Sequence, residues 1–303
     1  MTGQRKRTEC ELRERKTPFV DILRTTPTKT VCPNFYVFAH ADGCSFSPTC
    51  SYCYLKSSLW FLGRPRAFKK TAGMLEEVRQ WIARDDLESF VLNMGNLSDS
   101  LVFEKSRPLL RELVEVFRTE AEAKGRPHCL LLVTKGGVSD CRPLFRMKPS
   151  ANVIVSFSIN SREAARTHER GAASSEDRLA AARRLKSKGW RVRIRIDPMI
   201  EGFDYRWLIH QVRDLAPERV TMGSLRAEPN LVRRVANGLF AKLVKPRDPK
   251  ALARYPKKMR LAMYREVVDS LVGTIPLALC EETPDIWKAL GIYSQAKACN
   301  CGL

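Results

Sequence analysis

The sequence predicts an α/β protein built as a partial (β/α)6 barrel of the TIM type, followed by a C-terminal capping segment. Three observations lead to this fold. Short apolar runs, rich in β-branched residues, alternate with segments whose apolar residues recur at helical spacing. Such alternation produces a parallel sheet with right-handed crossovers, and six units make three-quarters of a complete barrel. The alternation stops near residue 229, where a basic stretch begins.

Six strands are expected, followed in most cases by helical segments. The strands are Phe35–Ala39, Phe90–Met94, Leu130–Thr134, Val153–Ile159, Val192–Asp197 and Val220–Met222. Among the helices, Leu109–Phe117 places five apolar residues on one face. Another helix begins at Ser175 as the expected N-cap and ends before Gly189, with acids in its first turn. We expect Arg178 in this helix to be a solvated charge.

The chain divides into three expected segments. Residues 1–30 are polar and Arg-rich, which indicates a flexible basic arm. Residues 31–229 form the partial barrel, and residues 230–303 form the basic capping segment with a Cys-x-Cys tail. In that last segment we expect a helix near Lys257–Leu271, a strand at Pro276–Leu279 and a helix at Pro284–Leu290. We expect the segment to cover the open side of the barrel.

The chain is strongly basic, with 53 Lys and Arg against 33 Asp and Glu in 303 residues, a formal charge of +20. Clustered cations attract polyanions through release of counterions, so nucleic acid or a phosphorylated, anionic substrate is one expectation. The alternative is a surface that is basic and solvated without a specific partner.

No apolar run approaches the roughly 18 residues that span a bilayer, so we expect no membrane association and a cytoplasmic protein. Ten cysteines in a cytoplasmic chain of this size favour metal or redox use over disulfides.

Three of those cysteines lie together directly after the first expected strand. They are Cys44, Cys50 and Cys53, and an aromatic residue, Tyr52, precedes the last one. Three thiolates on one loop can hold three irons of a [4Fe–4S] cluster and leave the fourth iron open for a small molecule. Because the loop follows a strand, it falls at the carboxyl edge, where sites in this fold lie.

Zinc is the alternative metal for this loop. Zinc normally takes four ligands, and only three cysteines are local, so Cys32 or a tail cysteine would have to complete the site.

At these residues the chain resembles the radical S-adenosylmethionine (SAM) superfamily, whose usual motif is Cys-x3-Cys-x2-Cys with an aromatic before the last cysteine. The first spacing here is x5. Further fragments are similar, in the same order, to the spore photoproduct lyase branch. They include Gly95-Asn-Leu-Ser98-Asp99, Val133-Thr134-Lys135, Val155-Ser156-Phe-Ser158-Ile-Asn160, Arg195-Ile-Asp197-Pro198, Met222-Gly-Ser-Leu-Arg226 and Leu279-Cys280-Glu281.

The resemblance implies a mechanism. The cluster would bind SAM and pass it one electron, giving methionine and a 5′-deoxyadenosyl radical that abstracts hydrogen from a substrate. A small electron-donor protein of the flavodoxin or ferredoxin type is implied as partner. A nucleic acid, a small metabolite or a peptide is the expected substrate.

The resemblance also implies which residues bind SAM. Tyr52 would lie near the adenine, Ser98 and Asp99 near the amino group, and Lys135 would pair with the carboxylate. Ser156, Ser158 and Asn160 are candidates for the carboxylate or the ribose hydroxyls.

One position departs from the photoproduct lyases. Their hydrogen-donor cysteine, just before the Ser-Asp pair, is here Asn96, which has no S–H bond to give. The family's best-known reaction is therefore not expected unless another thiol substitutes. Cys299 and Cys301, in the tail, are the candidate hydrogen or electron donors or substrate-binding thiols. Two rival hypotheses remain: a zinc-stabilised nucleic-acid-binding protein, and a family member without catalytic activity.

Overall fold

The computed structural model describes residues 7–24, 27–32, 34–235 and 238–292. The strands are β1 Glu11–Arg13, β2 Val20–Leu23, β3 Phe35–Phe38, β4 Ala41–Asp42, β5 Arg66–Phe68, β6 Val91–Asn93, β7 Cys129–Thr134, β8 Val153–Ser158, β9 Arg191–Met199, β10 Val220–Ser224, β11 Arg226–Ala227, β12 Ala253–Arg254 and β13 Leu277–Leu279.

The α-helices are α1 Leu55–Ser58, α2 Thr71–Ile82, α3 Leu110–Val116, α4 Arg142–Phe145, α5 Arg162–His168, α6 Ser175–Ser187, α7 Arg206–Leu215, α8 Pro229–Arg234, α9 Lys257–Leu271 and α10 Pro284–Ala289. A π-helical stretch, Phe117–Glu122, continues α3. Among the described residues, no helix combines the length and apolarity needed to cross a membrane.

The fold is mixed α/β, and one large sheet is its central element. The sheet has the order β13-β10-β9-β8-β7-β6-β3-β2. Within this sheet, seven strands run parallel to one another: β3, β6, β7, β8, β9, β10 and β13. The eighth strand, β2, pairs antiparallel with β3 at the edge. All six strands expected from the sequence are present, and their carboxyl ends share one edge of the sheet.

Both faces of the central strands are covered, which explains why they appear in the sequence as continuous apolar runs. In β7, Leu130 and Leu132 belong to the main core, while Cys129 and Leu131 belong to a smaller cluster on the other face. Cys129 is 4% exposed, as expected for a small buried hydrophobe.

In the residues that the structure describes, the amino-terminal segment is not the flexible arm that the sequence predicted. β2 extends the main sheet through four paired residues, and β1 pairs in parallel with β5 in a small three-stranded sheet with β4. Backbone pairing with strands that lie later in the chain thus orders a segment whose polar composition predicts disorder.

The carboxyl-terminal segment contributes to the sheet instead of only covering it. α9, β13 and α10 occur close to where they were expected, but β13 pairs in parallel with β10 and is a seventh parallel strand. The interpretation of this part as a pure cap is therefore wrong for 277–279. The Cys-x-Cys tail lies outside the described residues.

Helix α6 begins one residue earlier than expected. The N-cap is Ser174, whose hydroxyl accepts a hydrogen bond from Asp177 N at 3.2 Å. Ser175 is the first helical residue, and its hydroxyl donates to Asn160 O at 2.7 Å. This second bond ties the start of α6 to the carboxyl end of β8, next to the candidate site.

Candidate functional site

The cysteine loop follows β3 and β4 and is attached to neighbouring loops at both ends. Gly43 N donates to Leu97 O at 2.8 Å, and Ser51 N donates to His168 O at 2.9 Å. In the middle, a Cβ on Gly171 would lie 2.3 Å from the carbonyl oxygen of Pro48, so the loop rests directly on backbone after α5. The structure therefore fixes the loop at the carboxyl edge of the sheet, as expected.

The three thiols of this loop interact with one another. Burial raises the pKa of all three, and that of Cys50 reaches about 12. After burial, the nearby Asp99, Cys53 and Cys50 raise the pKa of Cys44 further. If these three sulfurs are deprotonated inside the buried loop, they need a compensating positive charge. The irons of an iron–sulfur cluster supply it.

A single metal ion and a cluster place different demands on their ligands. In the described part of the chain, no group of three or more His, Cys, Asp and Glu side chains could hold a metal ion. Thiolates that bind different irons of a cubane need not converge on one point, whereas the ligands of a zinc ion must. The tail cysteines that could complete a zinc site lie outside the described residues.

Tyr52, inside the cysteine motif, connects the loop to a buried charge cluster. Its hydroxyl donates to Glu169, and its ring centroid is 5.6 Å from Lys135 Nζ. Lys135 Nζ in turn donates to Glu169 Oε1 at 3.0 Å and to Ser158 Oγ at 2.7 Å. Tyr52, Lys135 and Ser158 were predicted to share a site, and the structure brings them together around Glu169.

The sequence analysis missed Glu169, the residue at the centre of this cluster. The Glu169 cluster consists of Tyr52, Lys135, Ser158, Glu169 and Arg178. Glu169 is completely buried, and Arg178 Nη1 lies 2.5 Å from its Oε2. Burial opposes ionisation of Glu169, but Arg178 and Lys135 outweigh it and hold the pKa of the carboxyl well below its usual range. The sequence did contain one signal for Glu169. It directly follows α5, and an acid at the C-terminal end of a helix interacts unfavourably with the helix dipole.

The expectation that Arg178 is a solvated charge is wrong. Its side chain is 0% exposed, and Nη1 also donates to Ser158 O at 2.9 Å. The helical spacing already contained the signal, because Arg178 shares a face with the buried Ala182 and Leu185.

Asn160 lies against the same cluster. Asn160 Nδ2 donates to Pro198 O at 3.0 Å and lies 3.5 Å from Glu169 Oε1. Its Oδ1 accepts from the Tyr205 hydroxyl at 2.8 Å. Ser156 lies two residues earlier in β8 than Ser158 and is fully buried within the sheet.

Asp99 links the cysteine loop to β7. Its carboxylate accepts from Lys135 N at 2.7 Å, from Thr134 Oγ1 at 2.9 Å and from Leu101 N at 3.0 Å. Burial raises the pKa of Asp99, although these hydrogen bonds oppose the shift. The carboxylate therefore orders the start of the Lys135 loop and is close enough to Cys44 to raise the pKa of that thiol.

Ser98 lies at the end of a buried relay. Its Oγ is 2.8 Å from His40 Nε2, and His40 Nδ1 is 2.7 Å from Arg107 Nη2. Because a guanidinium only donates, Nδ1 must accept, which leaves His40 neutral with its proton on Nε2. Burial and Arg107 accordingly hold the pKa of His40 well below its usual value. His40 then donates to Ser98, whose hydroxyl hydrogen remains free to donate onward.

A second ionic group lies at the same edge of the sheet, in the last part of β9 and directly after β10 and β13. Arg226 Nη1 is 2.7 Å from Asp197 Oδ1, and both Arg195 and Arg226 place a guanidinium nitrogen near Cys280 Sγ, at 2.9 and 3.1 Å. Burial opposes ionisation of Asp197, but the two arginines outweigh it and lower its pKa.

Asn96 lies beside the cysteine loop. The hydroxyl of Tyr54 donates to the backbone oxygen of Asn96. Asn96 is therefore adjacent to the motif.

The model of the family described as "Spore photoproduct lyase" matches residues 8–243. The chain belongs to this family. The matched region includes the cysteine loop, the Glu169 cluster and every predicted SAM-binding residue, but not Cys280 or the tail. No curated protein matches the chain.

Solved structures of family members share the fold. A spore photoproduct lyase complexed with dinucleoside spore photoproduct has a TM-score of 0.70 at 18% identity, over 88% of this chain and 80% of that one. A mutant lyase with bound AdoMet and dinucleoside spore photoproduct has a TM-score of 0.69 at 18% identity, over 90% of this chain and 81% of the other. Family membership supports radical SAM-type activity.

Proposed function

We propose that the protein is a radical SAM enzyme with a partial-barrel core. Cys44, Cys50 and Cys53 would bind a [4Fe–4S] cluster, and SAM would lie between the cysteine loop and the Glu169 cluster. When bound, this pair supplies the reductive cleavage of SAM to a 5′-deoxyadenosyl radical, which abstracts hydrogen from a substrate.

One observation carries the proposal. Tyr52 is part of the cysteine motif, yet its hydroxyl contacts Glu169 and its ring lies beside the ammonium group of Lys135. A motif residue thus joins the thiols to a lysine at the carboxyl end of β7. A cofactor held at both places would be oriented by both.

The roles of the other residues follow from their chemistry. Lys135 is 17% exposed and offers a cation to the SAM carboxylate, while Glu169 and Arg178 hold that lysine in place. Tyr52 gives an aromatic surface for the adenine. Ser98 offers a hydroxyl donor, because His40 already donates to its oxygen. Burial of these groups keeps water away from a reactive intermediate.

The substrate need not be the photoproduct bound in the solved relatives. Asn96 has no weak S–H bond from which a product radical could take a hydrogen atom, so the reaction would either end without that hydrogen transfer or use another thiol. Cys299 and Cys301 are the candidates for that thiol. The charge of +20 supports an anionic substrate such as nucleic acid.

Anaerobic reconstitution with iron and sulfide tests the ligand assignment. We expect about four irons and about four sulfides per wild-type chain, with a broad absorbance at about 400 nm. Cys50→Ala should lose this absorbance and the release of 5′-deoxyadenosine from SAM and dithionite.

Cys129→Ala is the matched control, since Cys129 is also buried but begins β7, at the end of the strand opposite to the cysteine loop. The control should keep the cluster and the activity. A reconstituted wild type that leaves SAM intact under dithionite would contradict the proposal.

A further inference from the structure

A thiol outside the cysteine motif lies at the same edge of the sheet. Cys280 directly follows β13, and its backbone N–H donates to Met222 O at 2.7 Å, which continues the pairing with β10. The residue is partly exposed. Its sulfur faces charges, since Arg195 Nη2 and Arg226 Nη2 lie 2.9 and 3.1 Å from Sγ.

The Cys280 group consists of this cysteine with Arg195, Asp197, Arg226 and Glu281. Arg226 pairs with both acids, because its Nη1 lies 2.7 Å from Asp197 Oδ1 and its Nε donates to Glu281 Oε2 at 2.6 Å. Arg195 also pairs with Asp197, at 3.1 Å. The guanidinium groups around the sulfur are thus balanced by carboxylates, and their charge is not left to stabilise a thiolate.

The thiol of Cys280 therefore keeps its proton. Burial, together with Asp197 and Glu281, raises its pKa to about 12 against the opposing effect of Arg195 and Arg226. A nucleophile or a metal ligand needs the thiolate, whereas a hydrogen-atom donor needs the S–H bond. Both arginines only donate, so the sulfur accepts from them and its own hydrogen points elsewhere.

The backbone around the Cys280 group is shaped to hold it. Glu281 has a φ of 47°, in the left-handed region that residues other than glycine rarely adopt. On β10, a Cβ on Gly223 would lie 2.4 Å from Asp197 Oδ1 and 2.8 Å from Arg226 Nη1, so only glycine lets this ion pair form against the strand. Backbone in such a conformation persists where its surroundings enforce it, and it clusters at functional sites.

Asp197 connects the Cys280 group to the Glu169 cluster. Ser158 Oγ accepts from Lys135 Nζ at 2.7 Å and donates to the backbone oxygen of Asp197 at 3.0 Å. The side chain of Asp197 binds both arginines of the Cys280 group. The predicted SAM contacts and the ion pairs around the Cys280 sulfur therefore meet at one residue of β9.

The cysteine loop also reaches the strand that carries Arg226. Leu225 and Ala227, the two residues that flank Arg226, belong to one buried apolar cluster with Cys50 and Tyr52. The loop, the Glu169 cluster and the Cys280 group thus border the same part of the carboxyl edge. A carbon radical formed between the first two would lie beside the third.

We propose that Cys280 donates a hydrogen atom to carbon radicals formed in this site. The inference rests on the proposed function, which supplies the radical. In the step, the S–H bond of Cys280 breaks, a C–H bond forms on the radical carbon, and the unpaired electron moves to the sulfur. The transfer is favourable because an S–H bond is weaker than the C–H bond that replaces it. Arg195 and Arg226 are positioning residues that hold the sulfur.

The first test follows the origin of the hydrogen atom. The reconstituted holoenzyme is given SAM and dithionite in D₂O with no substrate, so the radical carbon is that of the 5′-deoxyadenosyl group. Because thiol hydrogens exchange with solvent, most of the 5′-deoxyadenosine from the wild type should carry one deuterium by mass spectrometry. Cys280→Ser should lose most of this label, since an O–H bond is too strong to give its hydrogen to a carbon radical.

Cys129→Ala is the control for this measurement, because Cys129 is a buried cysteine at the start of β7, at the opposite edge of the sheet. Its product should be labelled as in the wild type. Unlabelled product from the wild type, or full label in Cys280→Ser, would overturn the proposal and leave the proposed function intact. Label that persists in Cys280→Ser and disappears when Cys299 and Cys301 are both changed to serine would assign the donor to the tail.

The second test does not depend on SAM cleavage. The difference in ultraviolet thiolate absorbance between the wild-type holoenzyme and Cys280→Ser reports the ionisation of Cys280 alone. This difference should stay constant from about pH 6 to about pH 9, a range in which an ordinary cysteine ionises. A titration step in that range would overturn the proposal, because a thiolate has no hydrogen atom to give. If dithionite gives no 5′-deoxyadenosine with the wild type, the proposed function fails, and the titration still decides whether Cys280 keeps its proton.

Discussion

Two buried glutamates in this molecule have nearly the same surroundings. The side chains of Glu169 and Glu282 are both 0% exposed, and each forms an ion pair with a buried arginine, Arg178 or Arg260. Each also accepts a hydrogen bond from a tyrosine hydroxyl. By burial and charge alone, the two clusters cannot be told apart.

The residues that bind Glu169 and the residues that bind Glu282 differ in their other contacts. Tyr264 and Arg260 belong to α9, and the backbone of Glu282 accepts from Val31 N at 2.8 Å, so the Glu282 cluster fastens the carboxyl-terminal segment to the start of the sheet. In the Glu169 cluster, Tyr52 comes from the cysteine motif and Lys135 remains partly exposed.

The comparison shows that a buried ion pair does not identify a site. The criterion is whether one of its members also reaches a group that a ligand can contact. The Glu169 cluster meets that criterion, whereas the Glu282 cluster is accounted for by stability.

The largest expected effect should appear in both clusters. Arg178→Met and Arg260→Met each leave a buried carboxylate with fewer compensating charges, so each should lower the free energy of unfolding by about 3–5 kcal/mol. Urea unfolding measures this loss. Only Arg178→Met should also weaken SAM binding, because only its partner holds Lys135. A loss of SAM affinity in Arg260→Met would contradict the claim that only the Glu169 cluster belongs to the site.

A smaller effect concerns pH. The pKa of Glu169 in the folded chain lies below its ordinary value of 4.5, so its charge stabilises the fold above that pH, and the stabilisation is lost as the pH falls. The stability advantage of the wild type over Glu169→Gln should shrink by about 1.4 kcal/mol between about pH 6.5 and about pH 3.5. Urea titrations of both proteins at each pH give the difference. An advantage that grows on acidification would show that the carboxyl is not held ionised by Arg178 and Lys135.

Local sequence pattern predicted the elements of the sheet well. The six strands and the helix α9 were found because apolar runs and helical periodicity are local signals. The cysteine loop and Lys135 were placed at the correct edge because strand ends in a parallel sheet share one side.

Tertiary pairing decided the parts that the sequence analysis missed. The polar amino-terminal segment forms β2 only because β3 offers a free edge, and β13 joins the sheet only because β10 does. Arg178 is buried because Glu169, nine residues earlier and directly after α5, forms an ion pair with it. A local sequence pattern cannot show which residues pair across two elements. The helical face of Arg178 indicated only that this residue is buried.

The most direct measurement is the dissociation constant of SAM for the reconstituted protein, comparing wild type with Lys135→Met. Removing the cation that pairs with the SAM carboxylate should weaken binding at least about thirtyfold. Lys186→Met is the matched control, because Lys186 donates to the backbone oxygens of Leu215 and Ala216 at the end of α7, at the opposite edge of the sheet. The SAM affinity of this variant should equal that of the wild type. An unchanged dissociation constant in Lys135→Met would contradict the assignment of the Glu169 cluster as the SAM side of the site.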